Sequence, residues 1–410
     1  MSETDLLLQE HIAVTRRFFV GISPAGMMAW RGSPAMASDA ASDSLLEKAA
    51  SQLEFLTPPS RIKVMGRGNP PPSQLSPEQL RAAGLAPETW FLEVLADAES
   101  TPKPELTRPL ARESGGALTW QGLMTLAEKH AVRYMHVCTC TNVADPFHTC
   151  LWEGVPLREA IWMAGPKANI RRAYYWGYTT PDSARFQSSL SLDRILEDPP
   201  GELPVILAYK MNGREIPGPL GGPVRLIVPG VYGNRSIKWL QHIALTNDFR
   251  ANDSYAEMNN DVESGLKTFA RFIQAPAEVP AAKPWALTGL AQVGSSGLSQ
   301  VQYRVAQAGA VEEAPWRQAT ILPPPKDWGG GVTTLPAVPL QFDPSTGQAR
   351  SWPMRYAIAH WAALVPGLQP GKYALSCRTI DANGAAQPMP RPLPKTGVNA
   401  IQSVPLVVRA

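Results

Sequence analysis

From Lys283 to the C-terminus the sequence alternates apolar and polar residues in short runs such as Val301–Val305, Tyr356–Ala359 and Tyr373–Ile380. Clusters of Gly, Pro, Asn and Asp separate these runs, and a helical period is almost absent. Alternation with period two places every second side chain on one face of a strand, so such a stretch can bury only one face per strand. About 125 residues of this texture predict a two-layered antiparallel β-structure of immunoglobulin-like type. The preceding part of the chain is different. It mixes expected strands at Trp90–Leu95, Arg133–Val137, Val205–Tyr209 and Val224–Val228 with helical spacing at Leu123–His130 and Pro156–Met163. Ser76-Pro77-Glu78 reads as a helix start, with a capping hydroxyl, proline at the first position and an acid in the first turn. The expected class is α+β, with a mixed domain followed by an all-β sandwich.

A chain of 410 residues exceeds one ordinary core, and its 44% apolar and 18% charged residues are globular proportions. The 41 prolines, about twice the usual share, fall in irregular stretches such as Pro70–Pro72 and Pro323–Pro325. A net charge of +3 without long basic runs argues against nucleic acid as a partner. Near the N-terminus, Thr15-Arg16-Arg17-Phe18-Phe19-Val20 resembles a twin-arginine export motif; an apolar run to Trp30 and Ala35-Met36-Ala37 then lead to Ser38 as the first mature residue. The expected organisation is a signal over 1–37, a lead-in over 38–60, a catalytic domain over 61–275 and a sandwich over 276–410. On this reading the chain uses the twin-arginine export machinery, the mature protein is periplasmic, and it has no membrane span.

Two segments carry chemistry. The expected strand ending at Val137 runs into Cys138-Thr139-Cys140-Thr141-Asn142, and three of the four cysteines (Cys138, Cys140, Cys150) lie within 13 residues. A thiolate at a strand tip is a soft metal ligand. Cys138, Cys140, His148 and Cys150 are also the material of a four-ligand zinc site, although their spacings are tighter than usual, and buried free thiols are the plainest reading. The second segment runs from Gly221-Gly222-Pro223 through an apolar strand, Val224–Val228, a Pro229-Gly230 turn, and Gly233-Asn234-Arg235-Ser236 to Lys238-Trp239. A strand delivering a glycine-containing loop of backbone N–H groups and cations suits an anion. Gly233 is expected to permit the tight turn and Asn234 to tolerate a left-handed conformation.

In order and spacing these segments resemble the sulfite oxidase family of molybdopterin-dependent oxidoreductases, over roughly residues 61–410. The resemblance implies a molybdenum–molybdopterin cofactor. It implies a thiolate ligand to molybdenum at Cys138 or Cys140, with the ungapped strand favouring Cys138, and cofactor contacts from Arg225, Gly233, Asn234, Arg235, Ser236, Lys238 and Asn142. Arg67 and Asn69 resemble an early Arg-Asn turn beside the cofactor, and Leu151–Arg158 resembles the opening of the helix that follows the ligand. The stretch from Tyr174 through Arg185 and Phe186 corresponds to a substrate channel, with Arg185 as a catalytic cation; plain core packing of its aromatics is the competing reading. The C-terminal sandwich resembles the family's dimerisation domain, implying a homodimer.

The chain also departs from the pattern. Asn142 is followed by Val-Ala-Asp-Pro where sulfite oxidases carry Asn-Arg-Arg, and Leu220 stands in place of a histidine. The expected active-site tyrosine has no counterpart in register, Tyr255 falling a few residues early. Missing cations argue against a dianionic substrate. The implied activity is two-electron oxo transfer to or from a small, sulfur-containing substrate, with electrons passed to a separate carrier such as a cytochrome c, since no heme-attachment motif occurs. Reduction of a sulfoxide or N-oxide on the same cofactor, and a zinc-stabilised periplasmic binding protein, are the alternatives.

Overall fold

The computed structural model describes residues 40–66, 70–140, 147–180, 183–257, 264–310, 313–332, 338–389 and 397–410. The chain divides into a unit over Met1–Leu45 and a compact unit over Leu46–Ala410. The export motif, Arg67, Asn69 and Asn142 lie outside the described residues. Among the described residues no helix is long and apolar enough to cross a membrane.

Three sheets build the larger unit. The first contains β1 (Phe91–Ala96), β2 (Leu118–Thr119), β5 (Arg172–Gly177), β6 (Gln187–Ser191) and β10 (Leu240–Thr246), in the order β2-β1-β10-β5-β6. The second runs β3 (Val132–Cys138), β4 (His148–Pro156), β7 (Ile206–Met211) and β8 (Arg214–Glu215), with β9 (Arg225–Ile227) also paired to β7. The four strands expected from the sequence in this half are β1, β3, β7 and β9. Helices form at Trp120–His130 and Leu157–Met163, where apolar spacing placed them. The Ser76 start is a full capping box: Ser76 Oγ accepts from Gln79 N, and the Gln79 side chain accepts from Ser76 N.

The third sheet is the predicted sandwich: β11 (Phe269–Gln274), β12 (Glu278–Pro280), β13 (Trp285–Gln292), β14 (Gln300–Gln307), β15 (Arg317–Ile321), β16 (Ile358–Val365), β17 (Gly371–Ile380) and β18 (Gln402–Arg409). Its neighbours pair antiparallel except β12 with β18. Leu287, Val301, Trp361, Val365, Leu375 and Cys377 fill the layer between its faces. The sandwich begins before the boundary drawn at residue 276, because β11 already pairs with β13.

Residues 338–357 also cross that division. Leu340 N donates to Arg133 O, Gln341 clamps Met135 at both its N–H and its carbonyl (2.8 Å each), and Val137 N donates to Tyr356 O. This segment covers the free edge of β3, the strand that carries Cys138. An uncovered edge would leave β3 held from one side only. Phe342, Met354 and Tyr356 share a core with Tyr134, Met135, Val137 and Trp152. All nine residues of β4 are buried, including Glu153, whose carboxylate binds Arg133 (2.6 Å), Lys210 (3.1 Å) and Tyr209 Oη (2.9 Å). Burial alone would raise its pKa, but these three hydrogen bonds outweigh it and keep the carboxyl below its ordinary range.

One consequence for stability arises in the sandwich. His360 on β16 is 6% exposed, its Nε2 has no hydrogen-bond partner among the described residues, and burial lowers its pKa from 6.5 to about 4. A depressed imidazole pKa leaves stability intact above the unfolded value and removes it as pH falls toward the folded value. We expect His360 to account for about 2 kcal/mol of acid destabilisation between pH ~6.5 and ~5, at 1.36 kcal/mol per pKa unit. Denaturant titrations of the parent and a His360→Gln variant across that window measure the difference. Equal acid slopes in the two proteins would refute the assignment.

Candidate cofactor site

The end of β3, the start of β4 and the loop after β9 converge on one cavity of ≈ 390 Å³. Cys138 is the last residue of β3 and is paired in register with His148, the first of β4, so both side chains leave the sheet on the same face. Both line the cavity, as do Thr139 and Cys140. The opposite wall is Gly233, Asn234, Ser236, Ile237, Lys238 and Trp239. A tight approach closes the two walls: Gly233 N donates to Thr139 O at 2.7 Å, and a β-carbon on Gly233 would stand 3.0 Å from that carbonyl.

A side chain at 233 would therefore push the Thr139 carbonyl back by a few tenths of an ångström. Neither Gly233 nor Asn234 has a positive φ; the positive-φ residues of this segment are Gly221 (109°), Gly230 (82°) and Trp239 (54°). A β-carbon on Gly221 would also meet the Lys238 side chain at 2.7 Å. These contacts hold the segment against its neighbours.

The cations of the segment divide into two groups. Arg225 is 4% exposed, lines the cavity, donates to Leu220 O (3.0 Å) and Ser236 O (3.4 Å), and lies 5.0 Å from the Trp152 ring centroid. Burial lowers its pKa, while Cys138 and Cys150 pull it back up. Lys238 lines the cavity and donates to Met65 O at 3.0 Å. Arg235, by contrast, does not line the cavity. It is 2% exposed and donates to Ser189 O, while its own carbonyl accepts from Tyr175 Oη at 3.0 Å. The expected cofactor contact of its guanidinium is thus replaced by a buried link between the segment and β6.

Arg185 is also elsewhere. Its neighbours Ala184 and Phe186 line the cofactor cavity, but Arg185 lies 4.4 Å over the Trp176 ring and lines a second cavity with His242 and Glu93. Trp176 stacks on His242 at 5.2 Å and 16°. Tyr174 and Tyr175 are buried and bonded to the carbonyls of Arg250 and Arg235. Of the stretch, Gly177, Tyr178, Thr179, Ala184 and Phe186 line the first cavity, Tyr174, Trp176 and Arg185 line the second, and Tyr175 is core.

Tyr255, out of register in the sequence, is brought into the cavity wall by the short helix Ser254–Glu257 and packs edge-on against Phe186 at 6.0 Å. Asp253 makes that placement: its carboxylate accepts from Tyr255 N (3.0 Å) and Ala256 N (3.1 Å). The spacing of an N-capping Asp before Ser-Tyr-Ala-Glu was the available signal. Lys63 and Met65 at the rim, and Thr139, carry no such signal in the sequence.

The electrostatics suit an anionic, metal-bearing ligand. Burial raises the pKa of Cys138, and the charges of Arg225 and Lys238 oppose it. Burial, then Arg225 and Lys238, hold His148 well below its ordinary value, so its ring is neutral. Thr139 Oγ1, Arg225 Nε and both ring nitrogens of His148 are buried with no hydrogen-bond partner among the described residues, although all three residues line the cavity. Buried polar groups ordinarily find partners. Orphaned donors beside a thiol thus fit a polar cofactor with a thiophilic metal. No group of three or more His, Cys, Asp or Glu among the described residues is arranged for a metal, which removes the geometric basis of the zinc reading.

Comparison with known proteins agrees with this site. Residues 108–254 match the oxidoreductase molybdopterin binding domain. The chain is 26% identical to chicken (Gallus gallus) sulfite oxidase over 269 residues, covering 58% of this chain and 50% of that protein. It is 34% identical to the NADPH nitrate reductase of Beauveria bassiana over 100 residues, 24% of this chain and 11% of that protein. It thus spans half or less of these curated relatives. The crystal structure of the sulfane dehydrogenase SoxCD from Paracoccus pantotrophus superposes with a TM-score of 0.56 at 17% identity, covering 93% of this chain and 96% of that one, so the two share a fold. The matched residues and the cavity they line define an oxidoreductase-type molybdopterin binding domain over residues 108–254. Within that class, the likeness to sulfite oxidase extends over 58% of this chain, and the fold is shared with the sulfane dehydrogenase structure.

Proposed function

We propose that this chain is a periplasmic molybdenum enzyme that moves an oxygen atom, together with two electrons, to or from a small sulfur-containing substrate. The observation that carries this reading is that the Cys138 thiol and the Gly233–Lys238 wall open into one cavity. The cofactor, when bound, supplies the two-electron oxo-transfer chemistry. The chain supplies a thiolate from Cys138, with Cys140 as the second candidate, and the charges of Arg225 and Lys238 against the cofactor's negative charge. Gly233, Asn234 and Ser236 form the backbone wall against which the cofactor rests.

Tyr178, Thr179, Phe186 and Tyr255 line the part of the cavity left for substrate. This wall is aromatic, and the only cations lining the cavity among the described residues are Lys63, Arg225 and Lys238. An uncharged substrate fits it better than a dianion, which favours sulfoxide or N-oxide reduction as the second reading. Electrons pass to a separate carrier such as a cytochrome c, and the sandwich pairs two copies of the chain. Export by the twin-arginine route, supported by Thr15–Val20, suits a protein loaded with cofactor before it crosses the membrane.

The test is elemental analysis of protein purified from a host that makes the cofactor, with acid oxidation to release a fluorescent pterin and light scattering on the same preparation. We expect near-stoichiometric molybdenum, pterin fluorescence, twice the chain mass, and turnover in a screen that starts with sulfite and small sulfoxides. Zinc without molybdenum or pterin would overturn the proposal.

A further inference from the structure

We propose that His148 is a cofactor-contacting residue, whose imidazole hydrogen-bonds a sulfur of the metal's coordination shell beside Cys138. The inference rests on the reading that the cavity holds the molybdenum cofactor. Its carrying observation is independent of family pattern. His148 is 4% exposed and lines the cavity, and neither Nδ1 nor Nε2 has a partner among the described residues. An imidazole buried with both nitrogens unbonded carries a desolvation cost that a bound partner removes. Strand pairing determines what that partner lies beside, because His148 and Cys138 are direct cross-strand neighbours on one face.

His136 is the internal comparison. It sits two residues before Cys138 on the same face, pairs in register with Cys150, and has Nδ1 3.8 Å from Cys138 Sγ. It does not line the cavity. One imidazole therefore faces the open volume and the other supports the cysteine from within the sheet. A neutral ring has one N–H to donate, and sulfur carrying negative charge is the acceptor nearest at hand. Such an outer hydrogen bond withdraws electron density from the sulfur and tunes the metal.

The experiment compares metal-loaded parent, His148→Ala, His148→Gln and His136→Ala by molybdenum content, Mo(V) electron paramagnetic resonance, and thermal unfolding with and without cofactor. We expect His148→Ala to shift the Mo(V) g-values at a molybdenum content within about twofold of the parent, with His148→Gln restoring part of the shift. We also expect the melting-temperature gain on cofactor loading to shrink in His148→Ala, while the cofactor-free variant is no less stable than the parent. If His148→Ala loads no metal, the comparison rests on His148→Phe, which fills the space without a donor and whose parent-like spectrum would overturn the contact. Unchanged g-values in both His148→Ala and His148→Gln would likewise overturn it, whereas a shift from His136→Ala reports its own contact with Cys138 Sγ. A parent protein without molybdenum would instead refute the cofactor reading itself, and the inference with it.

Discussion

We expect replacement of Cys138 by serine to lower turnover by more than about 100-fold and to strip most of the molybdenum, and Cys140→Ser to stay within a few-fold of the parent on both counts. The asymmetry follows from how each thiol is held. Cys138 is the last residue of a strand fixed by β4 on one side and by residues 338–357 on the other, and it is 3% exposed. Burial raises the pKa of its thiol, and the charges of Arg225 and Lys238 oppose that rise. Cys140 lies past the end of the strand and is partly exposed. A ligand that must sit within a few tenths of an ångström is better placed on a strand than on a loop. Molybdenum content and Mo(V) spectra of the two variants decide the matter. Metal retained in Cys138→Ser and lost in Cys140→Ser would reverse the assignment.

Arg225→Ala is the second large effect, expected to cost about 2–4 kcal/mol of stability and to abolish cofactor retention. The guanidinium satisfies the carbonyls of Leu220 and Ser236 and packs on Trp152, so truncation leaves two acceptors unpaired and a void under an indole. It also removes the most buried cation lining the cavity. Arg225→Lys should recover part of the stability but little of the retention, because an ammonium cannot span both carbonyls while facing an anion. Denaturant unfolding and pterin release from the purified variants measure the two effects separately. An Arg225→Ala protein that unfolds like the parent and keeps its pterin would show that Arg225 is neither structural nor a cofactor contact.

Much of this protein is legible in its residues. Period-two alternation marked the sandwich, helical spacing marked Trp120–His130 and Leu157–Met163, and Ser76 announced its own capping box. These are local effects, governed by residues within a few positions of one another. The Cys138 strand tip and the Gly233–Lys238 segment were also readable, because their chemistry is written in consecutive residues.

Tertiary structure alone decided where the cations and aromatics point. Arg235 and Lys238 sit three residues apart in one loop, yet one is turned to Ser189 of β6 and the other to the cavity and Met65. Arg185 lies over Trp176 and lines the second cavity, whereas its neighbours Ala184 and Phe186 line the first. Tyr255 reaches the wall through a turn capped by Asp253, and His148 faces Cys138 through a register set by the whole β3–β4 ladder. Each outcome depends on packing partners tens to hundreds of residues away. A side chain's direction is settled by which neighbour can bury or bond it, and that neighbour exists only once the sheets have assembled.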